Sequence, residues 1–278
     1  TGEKGEAFAK AQGFKGCCTD ITELAKSPDI NAVYIATPNS LHYAQSRIFL
    51  ENGKHVLCEK PITASAKEYD ALLKLADEKG VIYAEAIMSR HFKGRKILFN
   101  ALSEIGDISA ARIDYCQRSS RYDAFKSGEH MNIFDMSLGA GTLTDLGVYC
   151  VYAAVDMFGM PQSVKASAAF FDNGADNSGS AIFEYDGFTA ALSYSKAGQS
   201  AIGSEIIGDG GAVKIGSVSQ YADISLVKNG KETKLSGFPE RDEIMGDEAI
   251  KFADYIEKSK EFKADYNEVS TLTHNVHT

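Results

Sequence analysis

Cysteine is scarce in this 278-residue sequence: five residues, at 17, 18, 58, 116 and 150, an odd number with no CxxC spacing. That argues against a disulfide framework or a thiolate zinc site, and points to a reducing compartment, the cytoplasm. No two histidines have metal-ligand spacing on one face, and no Ser-His-Asp signature is present. Positive charge is not in excess either. Lys and Arg number 29 against 38 Asp and Glu, a net charge of −9, which argues against nucleic acid or an anionic membrane as the main partner. The longest apolar run, from Val148 to Met160, is broken by Asp156 and too short to cross a bilayer. Internal repeats and low-complexity tracts are missing as well. What remains, at 44% hydrophobic and 24% charged residues, is an ordinary globular chain long enough for two domains with cores.

The organising stretch runs from Ala32 to Pro61. Ala32-Val33-Tyr34-Ile35-Ala36 reads as a strand buried on both faces. Asn39 or Ser40 can cap a helix whose apolar positions Leu41, Ala44, Ile48 and Phe49 recur at helical spacing, with Gly53 just past its end. A second apolar run, His55 to Cys58, follows. Strand, helix and strand with short loops make a βαβ unit, hence two parallel strands joined by a right-handed crossover. Thr37-Pro38-Asn39 and Glu59-Lys60-Pro61 then leave the carboxyl ends of neighbouring strands, the edge where open α/β sheets bind ligands.

Upstream, Glu6–Gln12 reads as a helix, Cys17-Cys18 as a short strand, and Asp20 with Glu23 as a capping box for a helix over Ile21–Lys26. Downstream, a helix over Ser65–Lys79 and a buried strand over Val81–Ala84 continue the parallel pattern. A parallel sheet that begins with a helix lacks its first strand, so the N-terminus is expected to be truncated; the C-terminal helical pattern (Tyr266, Val269, Leu272, Val276) stops without a cap. After about Met88 the grammar changes. A helix near Gly94–Glu104, a long strand over Ile108–Ser119, a helix after Gly141 and hairpin signals at Asp186-Gly187 and Asn229-Gly230 imply a mainly antiparallel sheet with helices on one face, closed by a helix over Ile244–Ile256. The expected domains are 1–88 and 89–278. Ser163–Lys196 alternates small and apolar residues (Ala166, Ala168, Phe170; Ala181, Phe183, Tyr185; Ala190, Leu192, Tyr194), and a sheet face without helices must meet water or a partner, so a homodimer or larger assembly is expected.

Candidate chemistry sits at two places. Lys60 is either a cation fixed at the binding edge or a solvent-exposed loop lysine. Asn39 and His42 either hydrogen-bond a ligand there or serve as a cap and an exposed first-turn residue. Gly139 to Gly147, followed by Tyr149, superficially resembles a glycine-rich nucleotide turn, but Thr144 replaces the third glycine and no strand precedes it. Asp145 and Tyr149 share one face of an otherwise apolar helix; a carboxylate there needs a partner or a job, although capping amides and plain packing would account for both. Gly208-Asp209-Gly210-Gly211 reads as a turn between strands rather than a phosphate loop.

The set Ala36-Thr37-Pro38-Asn39-Ser40-Leu41-His42, Glu59-Lys60-Pro61, Glu85-Ala86 and Gly139–Gly147 with Tyr149, in this order along the chain, resembles the Gfo/Idh/MocA family of nicotinamide-dependent oxidoreductases. Tyrosine rather than histidine at 149 is similar to its dihydrodiol and D-xylose dehydrogenase branch. The resemblance implies an α/β chain: a Rossmann-like parallel-sheet domain, its first strand and fingerprint lacking, then an α+β domain with a large, mainly antiparallel open sheet. It implies NAD or NADP held at its nicotinamide end by Ala36, Thr37, Pro38, Asn39, His42, Glu59 and Lys60, and a cis Lys60–Pro61 peptide. It implies that Lys60, Asp145 and Tyr149 surround the reacting carbon of a sugar, polyol or diol; Arg90, His91 and Tyr122 are candidate substrate-side residues. On that reading Tyr149 exchanges the hydroxyl proton and Lys60 lowers its pKa, because a cation about 4 Å away at an effective dielectric near 20 supplies about 4 kcal/mol. The alternative is a non-catalytic regulatory or ligand-sensing protein on the same fold.

Overall fold

A computed structural model describes residues 2–278. Helices α1 (Gly2–Gln12) and α2 (Ile21–Lys26) lead into a three-stranded parallel sheet of β1 (Ala32–Ile35), β2 (His55–Glu59) and β3 (Tyr83–Ala86), in that spatial order. The crossovers are α3 (Asn39–Glu51) and α4 (Ala66–Lys79), which pack on each other. Residues 16–20, expected to include a strand at Cys17-Cys18, are irregular and exposed. The Asp20 cap is real, since its carboxylate accepts from the amides of Thr22 and Glu23.

Burial separates the strands. Val56 and Cys58 of β2 face α3 and α4, with Phe49, Leu50, Tyr69 and Leu72, while Leu57 faces the opposite side. β2 is thus buried on both faces. β1 is not: Ala32 and Tyr34 are exposed and only Ile35 is buried. An apolar, β-branched run reports strand propensity, but burial depends on what packs beside the strand, and in the sheet that the described residues form β1 pairs with β2 alone.

Short helices α5 (Met88–His91) and α6 (Gly94–Leu102) precede an eight-stranded sheet, containing β4 (Ile108–Cys116) and the run from β5 (Ser163–Phe170) to β11 (Lys231–Lys234). The order is β11-β10-β9-β8-β4-β7-β6-β5, with β6 (Asp176–Glu184), β7 (Thr189–Ser195), β8 (Ser204–Gly208), β9 (Gly211–Ser217) and β10 (Ala222–Lys228). Every pairing is antiparallel except β4 with β7. The hairpin signals lie where expected. Gly187 has φ +84° between β6 and β7, and Asn229 and Gly230, at +52° and +75°, turn β10 into β11.

Helix α8 (Val148–Phe158) carries the core of this half, its Val148, Tyr152, Ala153 and Val155 packing with Ile113, Phe183, Leu192 and Ile206. The stretch 136–158 is long and apolar enough to cross a membrane by length and composition, but most of it is buried inside the fold. The apolar residues Phe183, Ala190, Leu192 and Tyr194 point to this core, not to the open face, which exposes Arg112, Ser180, Ile182 and Lys214. Finally α9 (Arg241–Glu257) and α10 (Lys263–His277) return to the first sheet. Phe252 packs on Leu57, Ala84 and Ala86, and the Tyr266 hydroxyl donates to Tyr83 O at 3.0 Å. A division of the chain at residue 88 therefore leaves two helices of the second half on the sheet of the first.

Candidate active site

The site forms where the carboxyl ends of β1 and β2 meet the segment before α8. A cleft of about 180 Å³ is lined by Pro38, Asn39, Lys60, Asn132, Ile133, Leu138, Ala140, Gly141, Thr144, Asp145 and Lys196. Lys60 follows β2, and its peptide to Pro61 is cis. Its ammonium donates to the Asp145 carboxylate Oδ1 and to the Asp145 carbonyl, each at 2.8 Å. The loop-lysine reading is set aside, because the Lys60 side chain is only 14% exposed.

Asp145 sits in a single π-helical turn, Leu143–Gly147, just before α8. Such widened turns recur at functional sites. The start of this helical run is capped from another strand, Asp176 of β6 accepting from the amides of Thr142 at 2.6 Å and Leu143 at 2.7 Å. A carboxylate already fills the place a phosphate would take in a glycine-rich nucleotide turn, which excludes that reading of Gly139–Gly147. Gly139 itself has φ +71°, and a Cβ there would come within 3.1 Å of Asn39 Cβ and Ser40 N. Glycine is needed because this loop touches the start of α3.

Asp145 is bracketed by two cations. Oδ2 lies 3.0 Å from the ammonium of Lys196, at the end of β7, which is 2% exposed. Burial works against the Asp145 charge, but Lys60 and Lys196 prevail and hold the carboxyl below the usual carboxylate range. The sequence reading missed Lys196. Its signal was the alternation of β7, since Ala190, Leu192, Tyr194 and Lys196 share one parity and all four are buried.

Tyr149 is placed differently from expectation. The Lys60 ammonium lies over its ring face, 5.1 Å from the centroid, and the ring meets Tyr115 edge-on at 5.7 Å. Burial pushes the phenol well above its ordinary pKa, and Tyr115, Glu59, Glu248 and Asp145 push it further the same way. The expected lowering by Lys60 is overturned: the ammonium bonds to Asp145, and the ring lies buried among acidic groups.

Several other candidates occupy structural positions. Both ring nitrogens of fully buried His42 face carbonyls, Pro61 O at 2.8 Å and Thr37 O at 2.9 Å, so the imidazole ties the two loops together instead of facing a ligand or solvent. Pro38, not Asn39 or Ser40, is the cap of α3, and the Asn39 amide donates to Gly139 O at 3.0 Å. Ala36 and Thr37 are exposed outside the cleft lining, with the Thr37 hydroxyl donating to Gln45. Glu59 accepts from the Tyr34 hydroxyl and from the Lys60 amide.

Arg90 and His91 are not at the cleft. Arg90 pairs with Asp265 and Glu268 of α10, and His91 packs edge-on against Tyr255 of α9. Burial first, then Arg90, drives the His91 imidazole down to about 3. Tyr122 lies in helix α7 (Tyr122–Lys126), against Phe171. Behind the rim, buried Glu85 accepts from Ile62 N at 2.8 Å and from the Tyr152 hydroxyl, and it pairs with His277 at 3.1 Å.

Two family models match the chain: an oxidoreductase family with an NAD-binding Rossmann fold over residues 1–87, and the GFO/IDH/MocA C-terminal domain over residues 101–214. The chain belongs to the Gfo/Idh/MocA family of NAD(P)-dependent oxidoreductases. It is 37% identical over 258 residues to scyllo-inositol 2-dehydrogenase (NADP(+)) IolU of Bacillus subtilis (strain 168), spanning 93% of this chain and 79% of that protein. It is 32% identical over 239 residues to trans-1,2-dihydrobenzene-1,2-diol dehydrogenase of Xenopus laevis, spanning 84% of this chain and 69% of that one. The fold matches KijD10, a 3-ketoreductase from Actinomadura kijaniata solved with TDP-benzene and NADP, with a TM-score of 0.79 at 20% identity over 100% of this chain and 84% of that one. It also matches aldose-aldose oxidoreductase from Caulobacter crescentus, with a TM-score of 0.80 at 18% identity over 99% and 87% of the two chains.

Pro38, Asn39 and Lys60 line one cleft at the carboxyl ends of adjacent parallel strands, the edge where such folds take their cofactors.

Proposed function

We propose that this chain interconverts a carbinol and a carbonyl on a sugar, polyol or diol with NAD or NADP, using the cleft between Lys60 and Asp145. The observation that carries the reading is the 2.8 Å Lys60–Asp145 pair beside Asn39 at that cofactor edge. Two relatives named for an inositol and for a diol support this substrate class. The cofactor, when bound, supplies hydride chemistry. The chain's own residues would do the rest. Pro38 and Asn39 hold the nicotinamide end, and Lys60 places an N–H on the substrate oxygen and exchanges its proton. Asp145 aims the ammonium, and the Tyr149 ring carries it from below.

The five cysteines are all free, which supports a cytoplasmic setting. The open face of the eight-stranded sheet is the surface we assign to a homodimer or larger assembly. The test is turnover of the purified full-length protein with NAD+ and NADP+ against inositols, aldoses, linear polyols and vicinal diols, followed at 340 nm. Cofactor-linked oxidation of at least one class is expected. Binding of polyol and cofactor without any turnover would favour the ligand-sensing alternative.

A further inference from the structure

We infer that Lys196 is a positioning residue of this site, whose ammonium fixes the orientation and charge of Asp145 and fastens the cleft wall to that carboxylate. The inference rests on the oxidoreductase reading for its kinetic consequence but not for its geometry. Besides Asp145 Oδ2 at 3.0 Å, Lys196 donates to Ile133 O at 3.0 Å and Gly141 O at 3.2 Å. An ammonium has three N–H donors; two go to these carbonyls, and its charge is paired with the Asp145 carboxylate. Buried and held among these protein oxygens, Lys196 acts through the groups it holds. Ile133 and Gly141 stand at the two ends of the segment that supplies Leu138 and Ala140 to the cleft. One buried side chain thus clamps both ends of that wall to the carboxylate that Lys60 uses.

Asp145 is itself divided between the two cations. Oδ1 goes to Lys60 and Oδ2 to Lys196, so the carboxylate plane is fixed at both ends. Lys60 gives two N–H groups to Asp145 and retains one. The other residues lining the cleft are uncharged, so two cations and one anion leave it with one net positive charge. That surplus favours negative charge building on a substrate oxygen. Without Lys196, the Lys60–Asp145 pair would cancel.

The test uses Lys196→Gln, whose amide can still donate to the Ile133 and Gly141 carbonyls, with Lys196→Arg and Asp145→Asn. Lys196→Gln is expected to lower kcat by about 10- to 100-fold, leave KM for NAD(P)H within about twofold, and have almost no further effect in the Asp145→Asn background. Lys196→Arg should recover most of the loss. A readout without turnover is the infrared titration of the Asp145 carboxyl, identified by difference from Asp145→Asn. The groups facing it are Lys60, Lys196 and Tyr149, and its midpoint should rise by about one unit or more in Lys196→Gln and stay put in Lys196→Arg. An unmoved midpoint, or an equal kcat loss with and without Asp145, would overturn the positioning role. If Lys196→Gln does not fold, a midpoint displaced in Lys196→Arg despite the retained charge overturns it too. Absence of any turnover in the unaltered full-length protein, with the midpoint shift intact, would instead remove the oxidoreductase reading.

Discussion

Glu248 of α9 offers a perturbation whose size can be worked out in advance. Its side chain is 6% exposed, and Oε2 has no hydrogen-bond partner. Burial first, then the Glu59 and Glu85 carboxylates, raise its pKa from an ordinary 4.5 to about 8. A carboxyl raised in the folded state stabilises the fold fully below its unfolded value, and that contribution is lost as pH rises through the folded value. Three and a half units at 1.36 kcal/mol each give a ceiling of about 5 kcal/mol above pH 8, and about 3 kcal/mol of it is lost by pH 7. Glu248→Gln keeps the shape and removes the titration. Urea denaturation across pH 5 to 8 should show the variant and the parent nearly equal at pH 5, with the variant gaining about 3 kcal/mol at pH 7. Other titrating groups are common to both chains and cancel in the difference. Parallel stability curves would refute the claim that Glu248 is buried without a partner.

Tyr149→Phe should keep kcat within a few-fold, because the ring and its place under the Lys60 ammonium are retained; a fall of about 10²–10⁴ would return the proton exchange to the phenol. His277, buried against Glu85, has its pKa raised because the carboxylate outweighs the opposing effect of burial. Its stabilisation is present below pH 6.5 and lost as pH rises through the folded value, so the deficit of His277→Gln in urea denaturation should be largest at pH 6 and shrink toward pH 9. Gly139→Ala should cost about 1 kcal/mol more than Gly80→Ala in thermal denaturation. Both positions have positive φ, but only Gly139 meets another segment within 3.1 Å.

Much of this architecture was legible because its signals are local. The βαβ unit, the Asp20 cap and the Asn229-Gly230 turn depend on residues a few positions apart, and each formed as the sequence implied. The errors came from distant neighbours. β1 reads as buried on both faces, yet Ala32 and Tyr34 are exposed, because apolar content does not say what packs beside a strand. Arg90 and His91 were assigned to the substrate because nothing near residue 90 announces that Asp265, Glu268 and Tyr255 return to pack there. His42 was expected at a ligand or in solvent, yet the loops carrying Thr37 and Pro61 close over it. The Lys60–Asp145 meeting was implied by family resemblance, whereas Lys196 was visible only as a charged residue continuing a buried-face alternation.

Whether the Lys60–Asp145 cleft performs cofactor-linked carbinol chemistry is decided by kcat of Lys60→Met on the best substrate of the panel. Asp145 keeps Lys196 as a partner in that variant, so the fold and the cleft wall remain tied. A loss of about 10²–10⁴ in kcat is expected, with cofactor affinity within a few-fold of the parent. A Lys60→Met protein that turns over at the parent rate would contradict it.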